Sequence, residues 1–305
     1  MSRIQDILSK AERDGTARRT RGLSDDGVVP SVAPPPRSTQ ATAPVYEPAP
    51  RITPHAAPTW TPPVAAPSFE PEAAAAPAAG VTLDERLVAA LSPHSLAAEQ
   101  YRSLRTRIKH AEQGRAMRAI LITSPAKGDG KSLTAANLAL TMAQEFQQRV
   151  LLVDGDLRRP SVHRLFGLAD GPGLADVLIG AADLDSALVQ VPEHHLTVLP
   201  SGAPPHRPAE LLGSASMRRT LDMLRTRYDR ILIDMPPVAP LADLQILEPL
   251  ADGLLMIVRA GVTPRPAIER ALSGLDVSKV LGLVLNEAGG ELTGQEYEGY
   301  GYIAG

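Results

Sequence analysis

Short apolar runs separated by longer mixed segments set the pattern of the second two-thirds of the chain. Strands are predicted at 119–123, 149–154, 196–200, 230–234, 253–258 and 280–285. Most are continuous apolar runs rather than alternating ones, as expected of strands covered by helices on both faces. Helical patterns fall between several of them, at 132–147, 217–228 and 267–275. This alternation predicts an α/β fold built on a doubly wound, mainly parallel sheet. In such sheets ligands bind at the carboxyl ends of the strands. Upstream, 96–118 also has a helical pattern, with six Arg or Lys against two Glu from Glu99 to Arg118. At the N-terminus, SRIQDILSKAERD places Ile4, Ile7, Leu8 and Ala11 on one helical face before Gly15. A helix this short is marginal alone, so 1–15 is either a fraying end or a docking helix for another protein.

Composition divides the chain. Fourteen of the 29 prolines lie between Pro30 and Pro77. A Pro/Ala-rich segment of that kind buries too little apolar surface to offset ordering entropy, so 16–82 is expected to be a disordered linker. The folded domain is expected over 83–288, and 289–305 as a flexible tail. The net charge of −3 exerts no general pull toward nucleic acid. The absence of cysteine excludes disulfides and Cys-ligated metal. No signal peptide and no apolar run of ~20 residues is present, which predicts a soluble, cytoplasmic protein.

The chemistry starts in ILITSPAKGDGKSLT, residues 120–134. A strand, a glycine-bearing loop, Gly-Lys-Ser and a helix make a phosphate-binding loop of the P-loop NTPase kind. Gly128 and Gly130 let backbone N–H groups turn toward phosphate oxygens. Lys131 can reach the β- and γ-phosphates, the Ser132 hydroxyl can hold Mg²⁺, and the following helix points its positive end at the anion. ATP contacts are accordingly expected from Lys127, Gly128, Asp129, Gly130, Lys131, Ser132 and Leu133. One departure from the usual spacing is Pro125, where a glycine is expected. Two further strands end in aspartate: VLLVDGDLRRP supplies Asp154 and Asp156, and ILIDMPPV supplies Asp234. A strand-terminal aspartate is the usual Mg²⁺-associated partner of such a loop, which leaves the other carboxylates for proton work.

TSPAKGDGKS, VLLVDGDLRRP and ILIDMPPV together resemble the Walker A, A′ and B motifs of the bacterial tyrosine kinases (BY-kinases). Glu99, Arg102 and Arg105 match the family's E-x-x-R-x-x-R oligomerisation motif, and LPSGAPPHRPAELLGS (199–214) resembles a further family segment. The resemblance runs from about Ser95 to the end. It implies a Mg²⁺-ATP-dependent tyrosine autokinase acting in trans within a homo-oligomeric ring. Lys131 would hold the phosphates; Ser132, Asp156 and Asp234 the metal; Asp154 would activate the tyrosine hydroxyl. Asn286, closing the last apolar strand, would contact adenine, although a turn-forming Asn fits that position too. A role in exopolysaccharide or capsule polymerisation or export is implied. So is a separate transmembrane activator (a polysaccharide co-polymerase) that recruits the kinase to the inner face of the membrane.

The tail EAGGELTGQEYEGYGYIAG carries four Glu and no Lys or Arg, with Tyr297, Tyr300 and Tyr302 in its last nine residues. Given the kinase resemblance, these are the expected phosphoacceptors, and their acidic surroundings complement the basic 96–118 helix. Two rival readings start from the same residues. One is an ATPase switch of the partition or division-site type, against which Ala126 stands where those proteins carry a signature lysine. The other is a non-enzymatic ATP-binding scaffold.

Overall fold

The computed structural model describes residues 82–288 apart from 113, 146–147 and 239–242. The expected N-terminal helix, the Pro/Ala-rich segment and the tail tyrosines Tyr297, Tyr300 and Tyr302 lie outside the described residues.

Seven strands form one sheet: β1 (Ala119–Thr123), β2 (Val150–Asp154), β3 (Val189–Val191), β4 (Leu196–Leu199), β5 (Arg230–Asp234), β6 (Gly253–Arg259) and β7 (Val280–Asn286). Their order is β3-β4-β2-β5-β1-β6-β7, parallel throughout except for the antiparallel β3–β4 pair. The described helices are α1 (Val88–Leu91), α2 (Leu96–Ala111), α3 (Lys131–Ala143), α4 (Val162–Leu165), α5 (Leu174–Ile179), α6 (Leu184–Ala187), α7 (Pro208–Leu212), α8 (Ala215–Arg227), α9 (Asp243–Leu247) and α10 (Arg265–Ser273). This is the expected doubly wound α/β architecture.

The strand period of two divides the apolar residues between two cores. Ile120, Ile122, Leu152 and Leu232 face one side, with Leu138 and Ala135 of α3 and Ile108 of α2. Leu121, Leu151, Val153, Ile231 and Ile233 face the other, with Met217 and Leu221 of α8 and Ile268 and Leu272 of α10. Each fully buried Val, Leu, Ile or Met side chain among these contributes about 1.5–3 kcal/mol of transfer free energy. Helix α3 is buried from Thr134 to Ala143, so its alanines are a packing requirement as well as a helix preference. Asn137 of α3 ties α1 down, its Oδ1 accepting from Ala89 N at 3.0 Å and its Nδ2 donating to Arg86 O at 3.1 Å.

Several boundaries differ from the expected ones for local reasons. The 96–118 helix stops at Ala111, because Gly114 takes φ +82 and irregular chain leads from there into β1. Helix α8 begins two residues earlier than expected, where the Ser214 hydroxyl accepts from Met217 N at 3.1 Å. Strand β3 is an unexpected antiparallel edge; three residues with Gln190 at the centre are too few for a readable period. Strand β7, at the opposite edge, is only half-buried along its length, unlike the doubly covered inner strands. No helix among the described residues is long and apolar enough to cross a membrane.

Candidate active site

The sheet order brings the three motifs together. Strand β5 lies between β1 and β2, and its register sets Asp234 beside both Ile122 and Asp154. The loop after β1, the Asp-Gly-Asp after β2 and the aspartate ending β5 therefore meet at the carboxyl edge of the sheet. Gly155 permits the contact: its N–H donates to Asp234 O at 2.8 Å, and a Cβ there would lie 2.9 Å from the same oxygen.

Lys131, the first residue of α3, turns its ammonium inward. Nζ lies 3.0 Å from Asp156 Oδ2, 3.3 Å from Asp234 Oδ1 and 3.2 Å from Ser132 Oγ. The Ser132 hydroxyl donates to Asp234 Oδ2. Burial alone would push the Lys131 amine down, but Asp234 and then Asp156 outweigh it and hold the amine above its ordinary range. Asp234 is fully buried, and loss of water raises its pKa against the pull of Lys131. Asp154, equally buried, is pushed up to about 7, first by desolvation and then by the Asp234 charge. Its Oδ2 accepts from the backbone N–H of Ser161 and of Val162, each at 2.9 Å, and its Oδ1 from Asp156 N at 3.2 Å.

Asp156 and Asp234 thus share one largely buried ammonium, and the Asp154 carboxyl next to them leaves an excess of acidic groups beside a serine hydroxyl. That donor set suits Mg²⁺, which takes a hydroxyl and one or two carboxylates and keeps its remaining positions for water and phosphate oxygens. The described residues contain no group of three or more His, Cys, Asp or Glu arranged as a closed metal cage. A cavity of about 1330 Å³ opens onto this cluster. Lys127, Gly128, Gly130, Lys131, Ser132 and Leu133 line it from the loop side, together with Asp156 and Asn286. Asp154 and Asp234 do not line it.

Two expected ATP contacts have structural duties. Asp129 is 2% exposed; its Oδ2 accepts from Ala126 N at 2.9 Å and its Oδ1 from Thr263 Oγ1 at 2.7 Å, so its carboxylate is committed within the protein. Asn286 Nδ2 donates to Asp129 O at 3.0 Å. Gly130 sits at φ +89, and a Cβ there would lie 2.0 Å from that Asn286 nitrogen. Thr263 escaped the sequence reading; its position just beyond the β6 terminus, at the ligand-binding edge, was the available signal. Arg259, at the end of β6, pairs with Glu287 through Nε at 2.6 Å.

Glu99, Arg102 and Arg105 lie on α2 and do not join the site. Arg102 pairs with Glu99 and with Pro93 O. Arg105 Nη1 donates to Thr141 O at 2.7 Å, and its Nε lies 3.3 Å from Glu145. The 199–214 segment does reach the cavity, through Pro200, Gly202, Ala203 and Pro204.

Fold and loop define a nucleotide-binding domain of the P-loop class. A family model described as an AAA domain matches residues 117–263. The chain is 40% identical over 225 residues to tyrosine-protein kinase YwqD of Bacillus subtilis (strain 168), covering 73% of this chain and 93% of that one. It is 33% identical over 201 residues to the succinoglycan biosynthesis transport protein ExoP of Rhizobium meliloti (strain 1021), covering 64% of this chain and 25% of ExoP. The kinase domain of the Escherichia coli tyrosine kinase ETK superposes with a TM-score of 0.62 at 27% identity, covering 66% of this chain and 79% of that domain. The chain belongs to the bacterial tyrosine kinase (BY-kinase) family.

Proposed function

We propose that the protein is an ATP-dependent tyrosine autokinase that phosphorylates Tyr297, Tyr300 and Tyr302 of another copy of itself. The observation that carries this reading is the convergence of Lys131, Ser132, Asp154, Asp156 and Asp234 beside a cavity large enough for nucleotide and peptide. Lys131 binds the phosphates, which draws its ammonium away from Asp156 and Asp234. Those carboxylates, with the Ser132 hydroxyl, are then free to hold Mg²⁺, which supplies charge neutralisation on the transferring phosphoryl group. Asp154 takes the phenol proton. A phenol with a pKa of about 10 needs a base of raised proton affinity, and a carboxyl near 7 is better matched than an ordinary one. Asp154 lies behind the cavity lining, so the Ser161–Val162 backbone must shift, opening its hydrogen bonds to Oδ2, before the carboxylate meets the phenol. Asn286 keeps the loop in register and borders the nucleotide.

Glu99, Arg102 and Arg105 support subunit contacts in the homo-oligomer, and residues 2–14 dock on a transmembrane polysaccharide co-polymerase that activates the kinase at the inner face of the membrane. ExoP's name supports a role in exopolysaccharide production.

The test is to incubate the full chain with Mg²⁺-ATP, with and without a cytoplasmic segment of a candidate activator, and map phosphate by mass spectrometry. Wild type gains phosphate on the tail. Lys131→Met gains none. Asp154→Ala loses at least 100-fold in rate, a typical magnitude for removing a general base. Unmodified tail tyrosines in activated wild type would overturn the kinase reading. An Asp154→Ala variant at full rate would pass the base role to Asp156.

A further inference from the structure

Beyond the phosphate loop, the cavity is cationic in a way the ATP site does not require. Arg86, Arg158, Arg159, His163 and Arg164 line it. Three of these are already neutralised or neutral. Arg158 forms a two-point pair with the buried Asp243, at 2.7 and 3.0 Å. Arg86 pairs with Asp84 at 2.8 Å. His163 is held below its ordinary pKa by burial and by Arg164, which favours its neutral form. The exposed guanidinium groups of Arg159 and Arg164 have no carboxylate partner among the described residues. Of the acidic groups lining the cavity, Asp156 is taken by Lys131 and Glu287 by Arg259, which leaves Asp170, one carboxylate against two guanidinium groups.

Two unpaired guanidinium groups beside the reacting cluster call for anions. The Lys127–Leu133 side of the cavity already supplies the cations that ATP needs. The tail sequence supplies a complementary ligand: Tyr297 is flanked by Glu296 and Glu298, and 287–305 contains no Lys or Arg. Arg159 stands three residues before α4 and Arg164 within it, so one short segment brings both guanidinium groups to the cavity lining. Arginine suits this task, because its planar fork binds carboxylates in two-point geometry and its charge persists at every working pH.

We infer that Arg159 and Arg164 form a recognition surface for acidic residues flanking the acceptor tyrosine, which makes acidic tyrosine peptides the substrate class. This rests on the kinase reading and deepens it. It also takes Arg102 and Arg105 of α2, which are committed within the chain, out of the groups that would hold the acidic tail.

The test uses the full chain with Mg²⁺-ATP and a synthetic peptide of residues 289–305, beside a peptide carrying Glu296→Gln and Glu298→Gln. Peptide phosphorylation is followed by mass, and peptide binding by fluorescence anisotropy with a non-hydrolysable ATP analogue. In wild type the Glu peptide binds and reacts with a KM about tenfold below that of the Gln peptide. In Arg159→Ala/Arg164→Ala that preference falls to about one, and the shift lies in KM rather than kcat. Arg159→Lys/Arg164→Lys recovers part of it. Equal preference for the Glu peptide in wild type and the double Ala variant overturns the proposal. Selective binding of the Glu peptide without phosphate transfer instead overturns the kinase reading and leaves the acidic-peptide surface standing.

Discussion

Gly130→Ala is the most informative single change, because two separable costs meet at that atom. Gly130 adopts φ +89, a conformation in which an alanine is strained by about 1–2 kcal/mol. Its new Cβ would also fall 2.0 Å from Asn286 Nδ2. That nitrogen is the end of a flexible side chain, so the amide swings away and the strain of the clash is relieved. Its hydrogen bond to Asp129 O, at 3.0 Å, is then lost, at a further cost of about 1 kcal/mol. Gly130→Ala should therefore destabilise by about 2–3 kcal/mol, which lowers Tm by on the order of 5–10 °C in a domain of this size. Asn286→Ala alone costs about 1 kcal/mol. The double variant should cost no more than Gly130→Ala, because the hydrogen bond is lost only once; the coupling is about 1 kcal/mol. Urea unfolding of the four proteins without nucleotide measures each term. Strictly additive costs would refute the claim that Asn286 and Gly130 share one packing site.

Two other outcomes follow from the same contacts. The folded Asp154 carboxyl, near pH 7, lies above its unfolded value of about 4, so its contribution to stability is full below about pH 4 and is lost as pH rises through about 7. Between pH 5 and 8 the metal-free wild type should lose on the order of 2–3 kcal/mol that Asp154→Asn does not lose; parallel urea profiles would exclude a raised Asp154. Asp252 accepts from Arg118 N at 2.9 Å, Ala119 N at 2.8 Å and Arg225 Nη2 at 3.0 Å, fastening the start of β1 to α8. Asp252→Ala should cost about 2–3 kcal/mol in thermal or urea unfolding while nucleotide affinity by calorimetry stays within about twofold.

The phosphate loop was legible because its parts are neighbours in the chain. Residues 120–134 contain the strand, the glycines, Lys131, Ser132 and the helix start, and local φ/ψ demands tie them to one geometry. The strands were legible for the same kind of reason: six were predicted within one residue of their ends, since a continuous apolar run has few alternatives. Helix ends were less so. The 96–118 pattern outran α2 by seven residues, because charged residues at 115 and 118 read as helix surface although Gly114 had already turned the chain.

Sequence alone determined which residues could carry the chemistry: a lysine and hydroxyl on a phosphate loop, and aspartates at strand ends. Only the tertiary structure decided how they share it. Placing β5 between β1 and β2 sets Asp234 against Asp154 and lets Lys131 answer both Asp156 and Asp234. Asp129 was read as a ligand contact, yet its carboxylate is held by Thr263, 134 residues away, and its carbonyl by Asn286, 157 residues away. Those are side-chain hydrogen bonds across crossover connections, and no local spacing encodes them. Likewise Arg158 and Arg159 are adjacent and alike in the sequence. Both line the cavity, but the fold places Asp243, at the start of α9, against the first and leaves the second without a carboxylate among the described residues, because ion pairing depends on which elements meet and not on chain order.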